Sequence, residues 1–97
     1  MAEKIDDLTI RYEEDGVVIV DELDKVVLSR AAWSTIVFRY RQWNKGKEEY
    51  SDDRYSIRRY RKVKGQYMQQ SKFNISSAAQ AEKLIEALQG WIDKPQE

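Results

Sequence analysis

WSTIVFRYRQW, residues Trp33 to Trp43, decides the fold class, because its apolar residues recur with a period of two. Ile36, Phe38 and Tyr40 fall on one face, and Val37, Arg39, Arg41 and Trp43 fall on the other. That is the pattern of a strand with one buried side. The next ten residues, NKGKEEYSDD, are polar, hold Gly46 and show no apolar period, so they read as a loop.

Tyr55 to Val63 reads as a second strand, with Tyr55, Ile57, Arg59 and Arg61 on one side and Ser56, Arg58, Tyr60 and Lys62 on the other. Lys64-Gly65 then offers a residue that tolerates positive φ between two β-prone runs, which is a hairpin signal. QYMQQSKFNI is the returning strand, and its weakly patterned MQQS predicts a bend or bulge. SSAAQAEKLIEALQGWI opens on Ser77 with Gln80 three residues later, a capping-box spacing. Leu84, Ile85, Leu88, Trp91 and Ile92 recur at three and four, with Ala81 one turn earlier, so the helix over 77–92 carries one apolar stripe. A curved antiparallel sheet is the expected cover for that stripe, with the last turn either fraying at Gly90 or bending there to bring Trp91 onto the fold.

Upstream, LTIRYEE and GVVIVDE both look strand-like around a turn at Asp15-Gly16, and KVVLS is a third short candidate. Nine acidic residues in the first 25 positions make the competing expectation a mobile segment. The expected architecture is α+β: a curved antiparallel sheet of about four strands over residues 33–75 followed by one amphipathic helix. An acidic segment, 1–24, precedes a single domain, 25–97.

With 97 residues, 41% of them apolar, the chain makes one domain whose modest core a second copy could usefully enlarge. It has neither cysteine nor histidine, which removes disulfides, thiolate and imidazole metal sites, and catalysis built on either side chain. The acidic pairs Glu13-Glu14, Asp21-Glu22, Glu48-Glu49 and Asp52-Asp53 fall in predicted turns, loops or strand ends, and Gly46 and Gly65 stand alone rather than in a phosphate loop. A non-enzyme without cofactor or metal is expected. MAEKIDDLTI has no basic n-region and no apolar h-region, and no run approaches a membrane span, so a soluble, intracellular protein (cytoplasmic or nucleoid, nuclear if eukaryotic) without membrane contact is expected.

A net charge of zero conceals segregation. Residues 1–25 hold three Lys/Arg against nine Asp/Glu, residues 26–75 twelve against four, and residues 76–97 two against four, giving −6, +8 and −2. A basic middle of this size points to a polyanion, nucleic acid first. Single strands are held by cations that follow the phosphates and by rings on which bases stack. Arg39, Arg41 and Trp43 on one strand face, and Arg58, Tyr60 and Lys62 on a face of the next, supply that mixture. Lys45, Lys47 and Lys64 add charge at the ends, and Arg61 and Lys72 complete the set. Arg59 and Arg61 lie on the side of Ile57, which leaves open that this side carries the contacts. A helix holding only Lys83 and Lys94 is a poor reader of a duplex groove. Trp33 and Trp91 are read as core or dimer packing, with Leu84, Ile85 and Leu88. The acidic first segment is expected to lie over the basic sheet, so that deleting residues 1–24 would tighten binding at low salt.

The order strand, loop, strand, tight turn, strand, helix resembles the family of the transcriptional coactivator positive cofactor 4 over about residues 33–91. Trp43-Asn44-Lys45-Gly46-Lys47 is similar to that family's aromatic-Lys-Gly-Lys loop, with one residue more. Ile57-Arg58-Arg59-Tyr60 stands at its Ile-Arg-acidic-Tyr strand, and Lys72-Phe73-Asn74-Ile75-Ser76 at the short strand before its capped helix. The linker Tyr67-Met68-Gln69-Gln70-Ser71, the acidic EEYSDD and the first thirty residues depart from it. The resemblance implies a homodimer, with helices packing across the two-fold axis and concave sheets that bind nucleic acid. The expected function is a non-catalytic binder of single-stranded DNA, with RNA as an alternative ligand, acting in transcription or DNA maintenance. A transcription-machinery protein is a further candidate partner. The alternative is an interaction module whose basic sheet docks an acidic protein partner.

Overall fold

The computed structural model describes residues 4–94. Six strands and one helix follow a single turn of 3-10 helix at Ile5–Asp7. The strands are β1 (Tyr12–Glu14), β2 (Val17–Ser29), β3 (Trp33–Asn44), β4 (Glu49–Tyr50), β5 (Arg54–Val63) and β6 (Gln66–Ile75), and the helix is α1 (Ala78–Asp93). All pairings are antiparallel in the order β1-β2-β3-β5-β6, with β4 set against the end of β3. The α+β class and the C-terminal helix agree with the sequence reading; the sheet has six strands rather than about four.

Two tight turns fix the register. Asp15 and Gly16 have φ of 51° and 80°, and Lys64 and Gly65 have 51° and 82°. Consecutive left-handed residues make two-residue turns whose twist matches that of the flanking strands. Glu14 therefore faces Val17, and Val63 faces Gln66. The expected irregularity in MQQS is a bulge: Arg59 faces Ser71 and Tyr60 faces Gln69, leaving Gln70 as the extra residue. The 13-residue β2 absorbs Leu23 and Leu28 in the same way against β3. Each bulge resets the alternation, so GVVIVDE and KVVLS belong to one strand. The division expected after residue 24 falls inside it.

Bulges and twist curl the sheet, and its two faces differ. On one, Ile36 and Phe38 are fully enclosed, joined by Tyr40, Tyr60 and Tyr67. Their cover is the N-terminal strap, whose Ile5, Leu8 and Ile10 are buried against them. Lys25 Nζ donates to the carbonyls of Asp6 and Leu8, each at 2.7 Å. Glu22 Oε1 accepts from the Thr9 hydroxyl at 2.7 Å and from the Ile10 N–H at 3.2 Å. Burying three aliphatic side chains stabilises by about 1.5–3 kcal/mol each, which outweighs the repulsion among the surrounding acids.

The other face carries α1. Ser77 Oγ accepts from the Gln80 N–H at 3.1 Å, and Gln80 Oε1 accepts from the Ser76 N–H, one residue before the reciprocal bond of a capping box. Only the first half of the helix lies by the sheet, where a cleft of about 350 Å³ opens among Val37, Tyr55, Ile57, Ile75, Leu84 and Ile85. At 16 residues α1 is roughly 24 Å long and outruns its support. The stripe expected to be covered by the sheet therefore stands open. Trp91 and Ile92 are 70% and 74% exposed, and the helix continues through Gly90 without bending back. The molecule is a plate, 56 × 39 × 17 Å. No helix among the described residues is long and apolar enough to cross a membrane.

Candidate nucleic-acid interface

Strand register sorts the cations by face. Arg58, Tyr60, Lys62 and Lys72 belong to the strap face, since Ser34 faces Tyr60, Ile36 faces Arg58 and Arg58 faces Lys72. Arg39, Arg41, Trp43, Arg59 and Arg61 belong to the helix face, as does Trp33, which faces Arg61.

On the strap face the ligand-side expectation needs correction. Tyr60 is 5% exposed and packs in the core beneath the strap, so its ring is closed to a stacking base. Burial raises the pKa of its hydroxyl; Arg58 acts in the opposite direction and Glu22 in the same one. Arg58 is committed to its own surroundings, with Nε donating to Ser56 Oγ at 3.1 Å and Nη1 to Gln69 Oε1 at 2.9 Å. Ser56, fully buried, donates to Asn74 Oδ1 at 2.7 Å. Lys62 Nζ lies 5.4 Å from the Tyr67 ring centroid, and the Lys72 side chain is exposed. The acidic segment covers this face by packing Ile5, Leu8 and Ile10 into the core together with polar contacts to Glu22 and Lys25.

At the loop end of the helix face, Arg39 pairs with Asp53 at 3.1 Å and Arg41 with Asp21 at 2.9 Å. The Arg41 guanidinium also lies 4.1 Å from the Tyr50 ring centroid, and Trp43 meets that ring edge-on at 5.0 Å. The Tyr50 hydroxyl donates to the Val18 carbonyl at 2.8 Å, which anchors the short β4 to β2. Lys45 and Lys47 project from the turn, whose shape is set by Asn44 Oδ1 accepting from the Lys47 N–H. The resulting recess, about 660 Å³, brings Trp43, Lys45, Lys47 and Arg54 together with Glu49 and Asp52. Its cations are therefore partly offset.

The opposite end of the same face is different. Trp33 is 42% exposed, and the guanidinium carbons of Arg59 and Arg61 lie 4.7 and 5.6 Å from its ring centroid. Among the described residues neither arginine forms an ion pair. Arg61 faces Met68, and Arg59 lies between Thr35 and Ser71. One row further, exposed Phe73 faces Ile57. Lys64 stands at the tip of the adjoining hairpin. Both guanidinium groups lie over the indole, so a base can stack on the ring surface they leave exposed or on a guanidinium plane, while their N–H donors hold its phosphate.

Arg61 was in the sequence-derived set and Arg59 in its reversed-face alternative, whereas Trp33 was read as core or dimer packing. Period two alone puts Trp33 on the face of Val37 and Arg39, so half of the signal was there to find; the cross-strand register that brings Arg59 and Arg61 to it was not. Leu84 and Ile85 line the apolar cleft, and Leu88 and Trp91 lie on the exposed stripe. Comparison with protein-family models, with curated proteins and with solved structures returns no match.

Proposed function

We propose that this chain is a non-catalytic binder of single-stranded nucleic acid, DNA first and RNA as an alternative ligand, and that it works as a homodimer. The observation that carries the reading is the Trp33–Arg59–Arg61 stack: an exposed indole with two guanidinium groups that no carboxylate among the described residues compensates. Lys64, at the tip of the adjoining hairpin, adds positive charge beside it, whereas Lys62 and Lys72 lie on the opposite face; Lys45 and Lys47 place a second basic end beyond Trp43. A flat ring favours unpaired bases, whose faces are available, over a duplex, whose faces are stacked away. The helix offers no basic stripe for a groove, since Lys83 is engaged with Glu86 at 3.6 Å.

The dimer is supported by the open stripe of α1, where Ile85, Leu88, Trp91 and Ile92 are exposed, and by the apolar cleft beside it. A second copy fits both features by symmetry, stripe against cleft. The similarity in element order to the positive cofactor 4 family supports the same assembly and suggests a part in transcription. That assignment rests on the resemblance alone.

The deciding measurement is a titration of labelled oligo-dT, duplex DNA and single-stranded RNA of equal length at several salt concentrations. The single strand should bind best, and log affinity should fall linearly with log salt. Trp33→Ala should weaken binding by about 1–3 kcal/mol, the worth of one stacked base. No binding to any of the three at low salt would sink the proposal and favour an acidic protein partner for the same surface.

A further inference from the structure

Ser34 occupies a position where the β3 alternation calls for a large apolar side chain: it precedes Ile36 and Phe38 on the buried face, and it is fully enclosed. A buried hydroxyl is costly unless bonded, and this one makes two bonds to a single residue. Ser34 Oγ donates to the Ala31 carbonyl at 2.7 Å and accepts from the Ala31 N–H at 3.1 Å. The Tyr67 hydroxyl donates to the same carbonyl at 3.4 Å, and the Lys62 N–H donates to the Ala32 carbonyl at 2.8 Å. The short connection from β2 to β3 is thus tied from beneath by β3 and β6 and from the side by β5. Trp33 sits between the tied residues and Ser34, at the first position of its strand.

We infer that Ser34, assisted by Tyr67, is the positioning residue for the Trp33 platform. The clamp stops the end of β3 from fraying and keeps the indole over Arg59 and Arg61, so that little order has to be imposed when a base arrives. This rests on the single-strand reading of the same site. A strand end held only by its last ladder bonds opens easily, and ordering it on binding would lower affinity. The hydroxyl touches no ligand; it acts through the ring.

Two measurements test the clamp. In a Trp43→Phe, Trp91→Phe background Trp33 is the sole indole, and Ser34→Ala should raise its quenching by acrylamide and lower its fluorescence anisotropy. Tyr67→Phe, which keeps the core ring and removes only the hydroxyl, should do the same to a lesser degree and serves if Ser34→Ala does not fold. In oligo-dT titrations Ser34→Ala should weaken binding about threefold to tenfold, as for one lost buried hydrogen bond. The salt slope should be unchanged, because no phosphate contact is removed. The loss should nearly vanish when Trp33→Ala is already present, since a residue acting through the ring has nothing left to position. An equal loss in both backgrounds, or unchanged quenching, overturns the clamp while leaving the binding proposal intact. Absence of binding by the unmodified chain overturns both.

Discussion

Tyr60 and Trp33 exchange the roles that local pattern suggests for them. Tyr60 lies in a run of cations and reads as a stacking ring, yet it faces Ser34 across the strands and is enclosed under Ile5, Leu8 and Ile10. Its buried hydroxyl gives a pH signature. The folded-state pKa lies above the usual value of 10.0, so the neutral form is favoured in the fold. The unfolded chain then releases this proton first as pH rises, and the contribution of Tyr60 is intact below pH 10 and lost above it. Tyr60→Phe should flatten the fall in Tm above pH 10 relative to the parent, read by thermal melts from pH 8 to 11. Lys64 offers a second test. It holds φ of 51° at the first turn position, which costs a β-carbon-bearing residue roughly 1 kcal/mol that Asn or Gly largely avoids. Lys64→Asn should raise stability by about 0.5–1 kcal/mol in urea denaturation. With fold and register unchanged, it should also weaken oligonucleotide binding and make its fall with salt shallower, as for one cation lost.

Among the elements, β3, β5 and α1 were legible because each obeys one period over most of its length, and β6 was legible from the Lys64-Gly65 turn before it and the Phe73–Ile75 alternation that follows its bulge. What hid β2 was its bulges at Leu23 and Leu28, which break the two-residue alternation that would have revealed 13 residues as one strand. The strap was hidden for another reason. Ile5, Leu8 and Ile10 are too few and too interspersed with acid to show a period, and their partners lie up to sixty positions away. Its importance is testable: Leu8→Ala should destabilise by about 2–4 kcal/mol, comparable to other leucines truncated in cores. Removing residues 1–24, which takes the strap, β1 and part of β2, should abolish the cooperative melt rather than tighten binding. Retained folding with higher affinity would instead support the electrostatic-lid reading. Of the site, the loop-end cluster around Trp43 was legible from composition, whereas the Trp33 platform needed a register that only the assembled sheet supplies.

For the whole molecule, the plate shape separates two surfaces with different tasks. The strap face holds the core, and the helix face offers both the basic stack and an uncovered apolar stripe. Sedimentation velocity should show a dimer that Trp91→Glu or Leu88→Asp converts to monomer, with secondary structure preserved by circular dichroism. A monomer for the unmodified chain at micromolar concentration would remove the assembly.

The strap also bears on the order of events during synthesis. Its three aliphatic residues are made before Tyr60 and Tyr67, which form part of their docking surface. Until β6 has left the ribosome that surface is incomplete. The turn-coupled hairpins can form locally, whereas the strap closes over partners distant in sequence, so its contacts are expected to form after the rate-limiting step. Leu8→Ala should therefore accelerate unfolding and leave the refolding rate nearly unchanged, a φ-value near zero in stopped-flow measurements.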